Sequence, residues 1–258
     1  MPQSATIITT VYNAEAYVAQ TIESVLAQTR QDFQYVLYDD GSTDHSLDIC
    51  REYVAKDDRI TLVPAVHAGS AKALAGAHDH AGGKLIGWVD SDDMLEPEAL
   101  ELTSALLDRH PQVGMVYTHH NVVDEAGTVL GLGKRSTIPY DKTRMLVDFM
   151  AFHFRLFRRE VYDRIGGVDR SYPCAHDYDF ALRMTEATEV RCLPRPLYRY
   201  RMRSGSISMA RRLDQIRASE RAVRAAMQRR GLDQTHDLDV ELRSNFTLRR
   251  KPKDKSKT

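Results

Sequence analysis

The stretch Lys84-Leu85-Ile86-Gly87-Trp88-Val89-Asp90-Ser91-Asp92-Asp93 joins a short apolar run to three acids within four positions. An apolar run of this length predicts a strand that is covered on both faces. Three neighbouring acids repel one another in a folded chain unless a cation or hydrogen-bond donors neutralise them. The stretch therefore predicts a buried strand that ends in a site for Mg²⁺ or Mn²⁺. The alternative is a solvated turn whose aspartate caps the next helix.

Strands of the same kind recur along the first part of the chain, each with a helix after it. The predicted strands are residues 5–11, 33–38, 59–64 and 84–89, and the predicted helices are 14–28, 44–55, 70–81 and 97–109. This alternation predicts βαβ units and an α/β fold with a mainly parallel sheet flanked by helices. Right-handed crossovers bring Val11, Asp39-Asp40 and the Asp90–Asp93 cluster to one edge of that sheet, where ligands bind in open α/β folds.

After Pro111 the regular alternation stops, and a smaller α+β part is predicted. Its elements are a strand at 113–122, a hairpin turn at 124–127, a short helix at 141–150, a half-exposed strand at 152–157, a helix at 177–185 and an extended run at 190–201. An arginine-rich helix is predicted at 210–230. The organisation is thus a main domain at 1–209 with halves at 1–110 and 111–209, a C-terminal helix and extension at 210–248, and a basic tail at 249–258 expected to be disordered.

Charge is divided unevenly along the chain although the formal net charge of the 258 residues is zero. Residues 200–258 carry 16 basic and 7 acidic side chains, so residues 1–199 have a net charge of −9. The basic end is expected to contact phosphate groups or an anionic membrane surface, or to be a packed helix with a solvated basic face. No nucleic acid is expected as a partner.

The cysteines and the N-terminus bear on the compartment. Three scattered cysteines argue against a disulfide framework. The sequence has neither the pattern of a signal peptide nor a run of apolar residues long enough to span a bilayer. We therefore expect a cytoplasmic location, with contact at the inner face of the membrane left open.

The order of motifs resembles the family 2 glycosyltransferases, which have a Rossmann-like nucleotide-diphospho-sugar transferase fold of GT-A type. The matching motifs are Thr9-Thr10-Val11-Tyr12-Asn13, Gln28-Thr29, Asp39–Asp44, Asp90–Asp93, Gly166–Asp169, His176–Asp179 with Arg183, and Tyr200–Ser208. The resemblance covers about residues 5–208. It implies inverting transfer of a sugar from a nucleotide-diphosphate sugar, most commonly a UDP-sugar, to a hydroxyl of a glycan or lipid-linked acceptor in cell-surface polysaccharide or glycolipid synthesis.

The resemblance also implies a donor site. Asp40 would accept a hydrogen bond from the donor's base, with Thr9 and Tyr12 lining the same pocket. The alternative is that Asp39-Asp40-Gly41-Ser42 is only a turn with a helix cap. Asp92 and Asp93 would bind the metal ion, and Asp90 would contact the donor. Arg203 stands where many relatives have a histidine, so it would bind the diphosphate but cannot ligate a cation.

Asp177 is the predicted general base, since an inverting displacement needs a carboxylate that takes the proton of the attacking hydroxyl. The family usually has Glu-Asp here, whereas this chain has His176-Asp177. The lost acid leaves a non-catalytic nucleotide-sugar or glycan-binding protein as the alternative. Residues 204–208 would form a flexible flap or a linker. A receiver-like phosphorylation module is disfavoured by the insert at 111–208, and a nucleotidyltransferase by the lack of a glycine-rich loop after the first strand.

Overall fold

The computed structural model describes residues 4–203 and 212–241. The strands are β1 Ala5–Val11, β2 Phe33–Asp39, β3 Ile60–Pro64, β4 Leu85–Trp88, β5 Met94–Leu95, β6 Val113–Val123, β7 Val129–Leu132, β8 Arg155–Arg158 and β9 Glu189–Arg201. The helices are α1 Val18–Leu26, α2 Ser46–Val54, α3 Ser70–His78, α4 Ala99–Arg109, α5 Arg159–Arg164, α6 His176–Ala187 and α7 Arg212–Arg229. The predicted elements of the first 110 residues are all present, with helices a few residues shorter than predicted.

One mixed sheet contains all nine strands, in the order β3-β2-β1-β4-β8-β6-β9-β5, with β7 paired to β6. The first four strands in this order are parallel. β8 lies antiparallel between β4 and β6, whereas β9 runs parallel to β6. The carboxyl ends of β1, β2 and β4 therefore lie side by side at one edge, as predicted. The predicted α/β class with a mainly parallel sheet is confirmed for this part of the molecule.

The sheet has a hydrophobic core on each face because alternate residues of the central strands point to opposite sides. Ile8 and Val36 belong to the core that includes α3 and α6. Ile7 and Leu37 belong to the second core, which includes α1 and α4. Central strands buried on both faces read as near-continuous apolar runs, which is why their positions were visible in the sequence.

The structure corrects two predictions in the second half. The segment predicted as a half-exposed strand at 152–157 is buried from His153 to Phe157, because β8 is inserted between β4 and β6. The short helix predicted at 141–150 is reduced to a single 3₁₀ turn at Arg144–Leu146. The predicted flap at 204–208 and the basic tail at 249–258 lie outside the described residues.

The arginine-rich helix α7 packs against the protein through Ala218, Ala222, Val223, Ala226 and Met227. Several of its arginines are bound by protein groups: Arg229 and Arg230 both pair with Glu186. These contacts support the interpretation of a packed amphipathic helix with a basic outer face. Within residues 4–203 and 212–241, no helix is long and apolar enough to cross a bilayer.

Candidate active site

The turn after β2 has its two acids bound by backbone groups. Asp40 is buried, and its carboxylate accepts hydrogen bonds from the backbone N–H of Ala68 at 2.8 Å and of Gly69 at 3.0 Å. The Nδ1 atom of His67 lies 2.9 Å from the same carboxylate. Asp39 accepts a hydrogen bond from Ser42 N at 3.1 Å. Both acids thus stabilise the turn, and the predicted pocket residue Asp40 is held rigidly at the sheet edge.

The turn after β2 requires a glycine at position 41. Its φ is +73°, and a Cβ at this position would lie 2.6 Å from the backbone N of His67. A side chain would therefore be strained by its conformation and would also displace the segment that binds Asp40.

The loop after β1 supplies an aromatic ring beside this turn. Tyr12 is 44% exposed and stacks on His67 with ring centroids 4.0 Å apart. Asn13 adopts a left-handed conformation with φ 49° and accepts a hydrogen bond from Thr43 N at 2.8 Å. The outer face of the Tyr12 ring is thus available to a planar ligand next to Asp40.

Thr9 does not line this pocket, so its predicted place is wrong. Its side chain is fully buried, and its hydroxyl bonds to that of Tyr35 at 3.0 Å. Thr10 points to the other side of β1 and is partly exposed. The error arose because a one-residue shift along a strand moves a side chain to the opposite face of the sheet.

The acids after β4 are held by β9. Asp93 is buried, and its carboxylate accepts hydrogen bonds from Arg201 N at 2.7 Å and from the Tyr198 hydroxyl at 2.8 Å. The same hydroxyl accepts a bond from Asp90 N at 3.2 Å. Asp92 pairs with Arg203, whose Nε lies 2.6 Å from Oδ2. Arg203 therefore contacts the acidic cluster, and its predicted contact with the diphosphate stays a prediction.

Arg201 holds the acidic turn in place and is itself 2% exposed. Its Nε donates to the carbonyl of Asp92 at 2.7 Å, and Nη1 donates to the carbonyl of Glu125 at 2.6 Å in the turn between β6 and β7. Nη2 donates to Gln20 of α1 at 2.7 Å. One buried guanidinium thus joins the acidic turn to two other parts of the chain, the turn between β6 and β7 and helix α1.

A possible metal site combines two of these acids with a histidine. Asp90, Asp93 and His153 each offer one ligand atom, and these atoms lie within 4.8 Å of one another. The His153 ring stacks on Tyr198 at 4.5 Å, almost parallel to it. Burial lowers the pKa of His153 well below its usual value, so the imidazole is neutral and keeps a lone pair for a metal ion.

The charge state of these acids also suits a cation. Desolvation by the surrounding protein, followed by repulsion from Asp92, raises the pKa of Asp90 to about 7. Burial and the same neighbour raise the pKa of Asp93. Although the protein around Asp90 raises its pKa, 60% of its side chain is open to solvent, which gives a cation access to the carboxylate. Two carboxylates and a neutral imidazole fit a divalent transition metal ion.

Asp177 lies in the first turn of α6, across the cleft from this cluster. Its Oδ2 atom is 3.7 Å from Nη1 of Arg155, and its charge contributes to raising the pKa of Asp90. The helix starts after Ala175, which has a left-handed φ of 56° that is unusual for alanine. His176 is partly buried, and burial lowers its pKa. The structure thus brings the predicted base within electrostatic reach of the predicted metal site.

His153 and Arg155 were missed in the sequence, although both lie at the site. They alternate with Phe152, Phe154 and Leu156 in the run that was interpreted as a half-exposed strand. Both side chains are buried. A histidine and an arginine at alternate positions of an apolar run are a signal for either a solvated face or a buried polar site, and the sequence alone does not separate the two.

The comparison with known proteins gives the family. A sequence profile described as "Glycosyl transferase family 2" matches residues 6–166. The chain belongs to this family. Chondroitin synthase of Escherichia coli is 30% identical over 203 residues, which are 79% of this chain and 29% of that protein. Hyaluronan synthase of Pasteurella multocida is 27% identical over 88% of this chain and 24% of its own length. The chain therefore spans about a quarter of the length of these curated relatives.

Solved structures show the same fold. S. aureus TarS in complex with UDP-GlcNAc matches with a TM-score of 0.73 and 19% identity over 92% of this chain and 68% of that one. A mannosyltransferase of Pyrobaculum calidifontis, solved with GDP-Man and Mn²⁺, matches with a TM-score of 0.67 and 20% identity over 87% of this chain and 64% of that one. The family 2 glycosyltransferase is thus of GT-A type, and both predictions are confirmed.

Proposed function

We propose that this family 2 glycosyltransferase transfers a sugar from a nucleotide-diphosphate sugar to an acceptor hydroxyl, with inversion and with the help of a divalent metal ion. One observation carries the proposal. Asp90, Asp93 and His153 form a possible ligand set at the carboxyl edge of the parallel strands, and the charge of Asp177 acts on Asp90. Ligands of open α/β sheets bind at this edge.

The donor's base is assigned to the turn after β2. A carboxylate oxygen accepts more than one hydrogen bond, so Asp40 has acceptor capacity left after binding Ala68 and Gly69. The imide N–H of uracil is a suitable donor, and the exposed ring of Tyr12 provides a stacking surface beside it. These features favour a UDP-sugar, and TarS has been solved with UDP and with UDP-GlcNAc.

The metal ion is assigned to Asp90, Asp93 and His153, with Asp92 beside them. When bound, the ion supplies positive charge that stabilises the departing diphosphate. A nitrogen ligand suits Mn²⁺ better than Mg²⁺, which prefers oxygen. Arg203 is assigned to a diphosphate oxygen, which requires it to leave its partner Asp92.

Asp177 is assigned as the general base. A carboxylate in this position takes the proton from the acceptor hydroxyl as its oxygen attacks the anomeric carbon, while the nucleoside diphosphate leaves from the opposite face. One carboxylate suffices, since a single displacement inverts the anomeric centre and needs no covalent intermediate. His176 therefore does not have to replace the acid that this family usually has at this position.

The acceptor is proposed to be a growing polysaccharide or a lipid-linked glycan at a cell surface. The names of the relatives support this, since they include synthases of chondroitin and hyaluronan and an O-antigen biosynthesis protein of Myxococcus xanthus. The three cysteines of the sequence, Cys50, Cys174 and Cys192, are few and scattered, which favours a reducing compartment such as the cytoplasm for this reaction.

A screen of nucleotide-sugars with Mn²⁺ or Mg²⁺ tests the function, with release of nucleoside diphosphate as the readout. In Asp177→Asn we expect kcat to fall about 10²- to 10⁴-fold while donor affinity is retained, because only proton transfer is lost. Glu160→Gln is the matched control, since Glu160 is an exposed first-turn acid of α5 outside the cleft. Full activity of Asp177→Asn would overturn the base assignment. Donor binding without any transfer by the unmodified protein would instead favour the non-catalytic alternative.

A further inference from the structure

Arg155 is a buried cation beneath the cleft. Its side chain is 5% exposed, and its guanidinium lies 5.6 Å from the ring of Trp88 and 5.7 Å from the ring of Phe149. A charge in such surroundings is costly unless a partner of opposite charge is nearby, because it has lost most of its hydration. The identity of its partner therefore indicates its role.

The partner is the proposed base. Nη1 of Arg155 donates to the carbonyl of Ala151 at 3.2 Å and lies 3.7 Å from Oδ2 of Asp177. Within the described part of the chain, Asp177 is the carboxylate that forms an ion pair with this arginine. The Nε atom is buried and has no hydrogen-bond partner among the described residues. One nitrogen of the guanidinium, Nη1, thus contacts both the backbone carbonyl of Ala151 and the carboxylate of Asp177.

Asp177 lies at a partly exposed helix start, where it needs a group that fixes its carboxylate. Its side chain is 28% exposed, and α6 starts after a residue in a left-handed conformation without a side-chain cap. The adjacent His176 has a buried Nδ1 atom without a partner among the described residues, so it does not hold the carboxylate. Asp90 also lies close enough to Asp177 for their negative charges to repel each other.

We infer that Arg155 is a positioning residue, which holds the carboxylate of Asp177 in the cleft. The inference rests on the proposed function, in which Asp177 is the base. The guanidinium of Arg155 contacts Ala151, Asp177 and the rings of Trp88 and Phe149, so it is assigned to the support of the base and not to the substrate. A misplacement of a reacting group by about 1 Å can lower a rate about 100-fold, so the effect of losing this support should be large.

Arg155→Met and Arg155→Lys test the inference. Methionine fills the apolar site without charge, and lysine restores the charge with different geometry. We expect Arg155→Met to lower kcat about 100-fold while the KM for the donor changes less than about threefold. The kcat of Arg155→Lys should be at least about tenfold higher than that of Arg155→Met. Donor binding and circular dichroism show that the variants are folded.

Arg158→Met is the matched control on the same strand. Its guanidinium binds the carbonyl oxygens of Val113 and Leu107, away from the cleft. We expect this variant to lose stability but to keep kcat within about twofold of the unmodified protein, since its contacts are structural. A loss of kcat equal to that of Arg155→Met would overturn the inference, because any buried arginine of β8 would then have the same effect.

The double variant Arg155→Met/Asp177→Asn separates the two proposals. If Arg155 acts through Asp177, the double variant is no slower than Asp177→Asn alone, because residues that act as a unit are not additive. Multiplied effects, or a loss that lies mainly in KM, would overturn the positioning role. If instead Asp177→Asn transfers sugar normally, the proposed base itself is wrong, and the inference is overturned with it.

Discussion

Two acidic turns lie at the same edge of the sheet. Asp40 in one turn and Asp90 in the other differ in the groups that surround the carboxylate. After β2, Asp40 is bound by two backbone N–H groups and by His67. After β4, Asp90 faces the acids Asp92 and Asp177, and desolvation followed by repulsion from Asp92 raises its pKa to about 7. Asp40 thus has its charge matched by protein donors, whereas Asp90 faces other acids, although its neighbours Asp92 and Asp93 are bound by Arg203 and by groups of β9.

This difference teaches how one sheet edge can bind both parts of a charged ligand. A carboxylate fixed by backbone donors is a rigid acceptor for a neutral N–H group such as a nucleobase edge. An acid that faces other acids, such as Asp90, is destabilised by their charge and gains stability when a cation binds. Adjacent acids in a sequence can therefore bind either a neutral N–H group or a cation. The hydrogen-bond donors around them decide between these two roles.

The largest expected effect concerns the metal ion. Asp90→Asn should weaken Mn²⁺ binding by at least about 100-fold, since it removes a proposed ligand, whereas Asp40→Asn should leave it unchanged. Calorimetric titration of both variants with MnCl₂ measures the difference. An equal loss in the two variants would contradict the distinction between the turns.

Stability without metal should respond in the opposite way. Asp40→Asn should lower the free energy of unfolding by about 1 to 3 kcal/mol, because an amide cannot accept from both backbone groups and leaves a buried donor unpaired. Asp90→Asn should not lower it, since the variant removes a carboxylate that its neighbours repel. Urea denaturation in the presence of a chelator measures both, and a destabilised Asp90→Asn would show that this acid too has its charge matched.

The histidine of the cluster sharpens the comparison. His153→Gln should weaken Mn²⁺ binding about tenfold and Mg²⁺ binding much less, because the nitrogen ligand favours the transition metal. His120→Gln is the control, since His120 is also buried and its ring centroid lies 6.2 Å from that of His153. The two metal ions are compared by the rise of the melting temperature in each variant. Equal losses for both ions would exclude His153 as a ligand.

The smallest expected effect concerns Arg203, which forms an ion pair with Asp92 in the turn after β4. Arg203→Met should tighten Mn²⁺ binding about two- to fivefold in the absence of donor, since a partly exposed ion pair with Asp92 no longer competes. The same variant should bind the donor more weakly, because a diphosphate contact is lost. Titrations with and without nucleotide measure the two effects, and weaker Mn²⁺ binding without donor would mean that Arg203 supports the cluster instead of competing with it.

The parallel half of the fold could be predicted from the sequence because each of its strands is marked by residues that are neighbours in the chain. Each of β1, β2 and β4 is an apolar run, and the polar residues that follow it mark the edge of the sheet. Crossover rules then placed Asp40 and Asp90 near each other without any knowledge of contacts. The assignment of Thr9 failed within the same half, since a pattern locates a strand end more reliably than the face to which each residue points.

The remainder of the site depends on contacts between residues distant in sequence. β8 pairs with β4 and β6, and this insertion buries His153 and Arg155, which a polar–apolar alternation by itself assigns to solvent. Tyr198 reaches Asp93 only because β9 crosses the sheet beside β6 and pairs with β5. Pairings between strands far apart in the chain are set by packing of the whole sheet, which no local pattern encodes.

The guanidinium of Arg201 has a consequence for how this protein is made. The acidic turn at Asp92 and Asp93 takes its shape from an arginine that follows it by more than a hundred positions. During synthesis from the N-terminus, the four parallel strands are complete long before this arginine leaves the ribosome. The turn therefore acquires its final form only when β9 joins the sheet. A nascent chain that stops after α4 would contain all three acids but not the site they form.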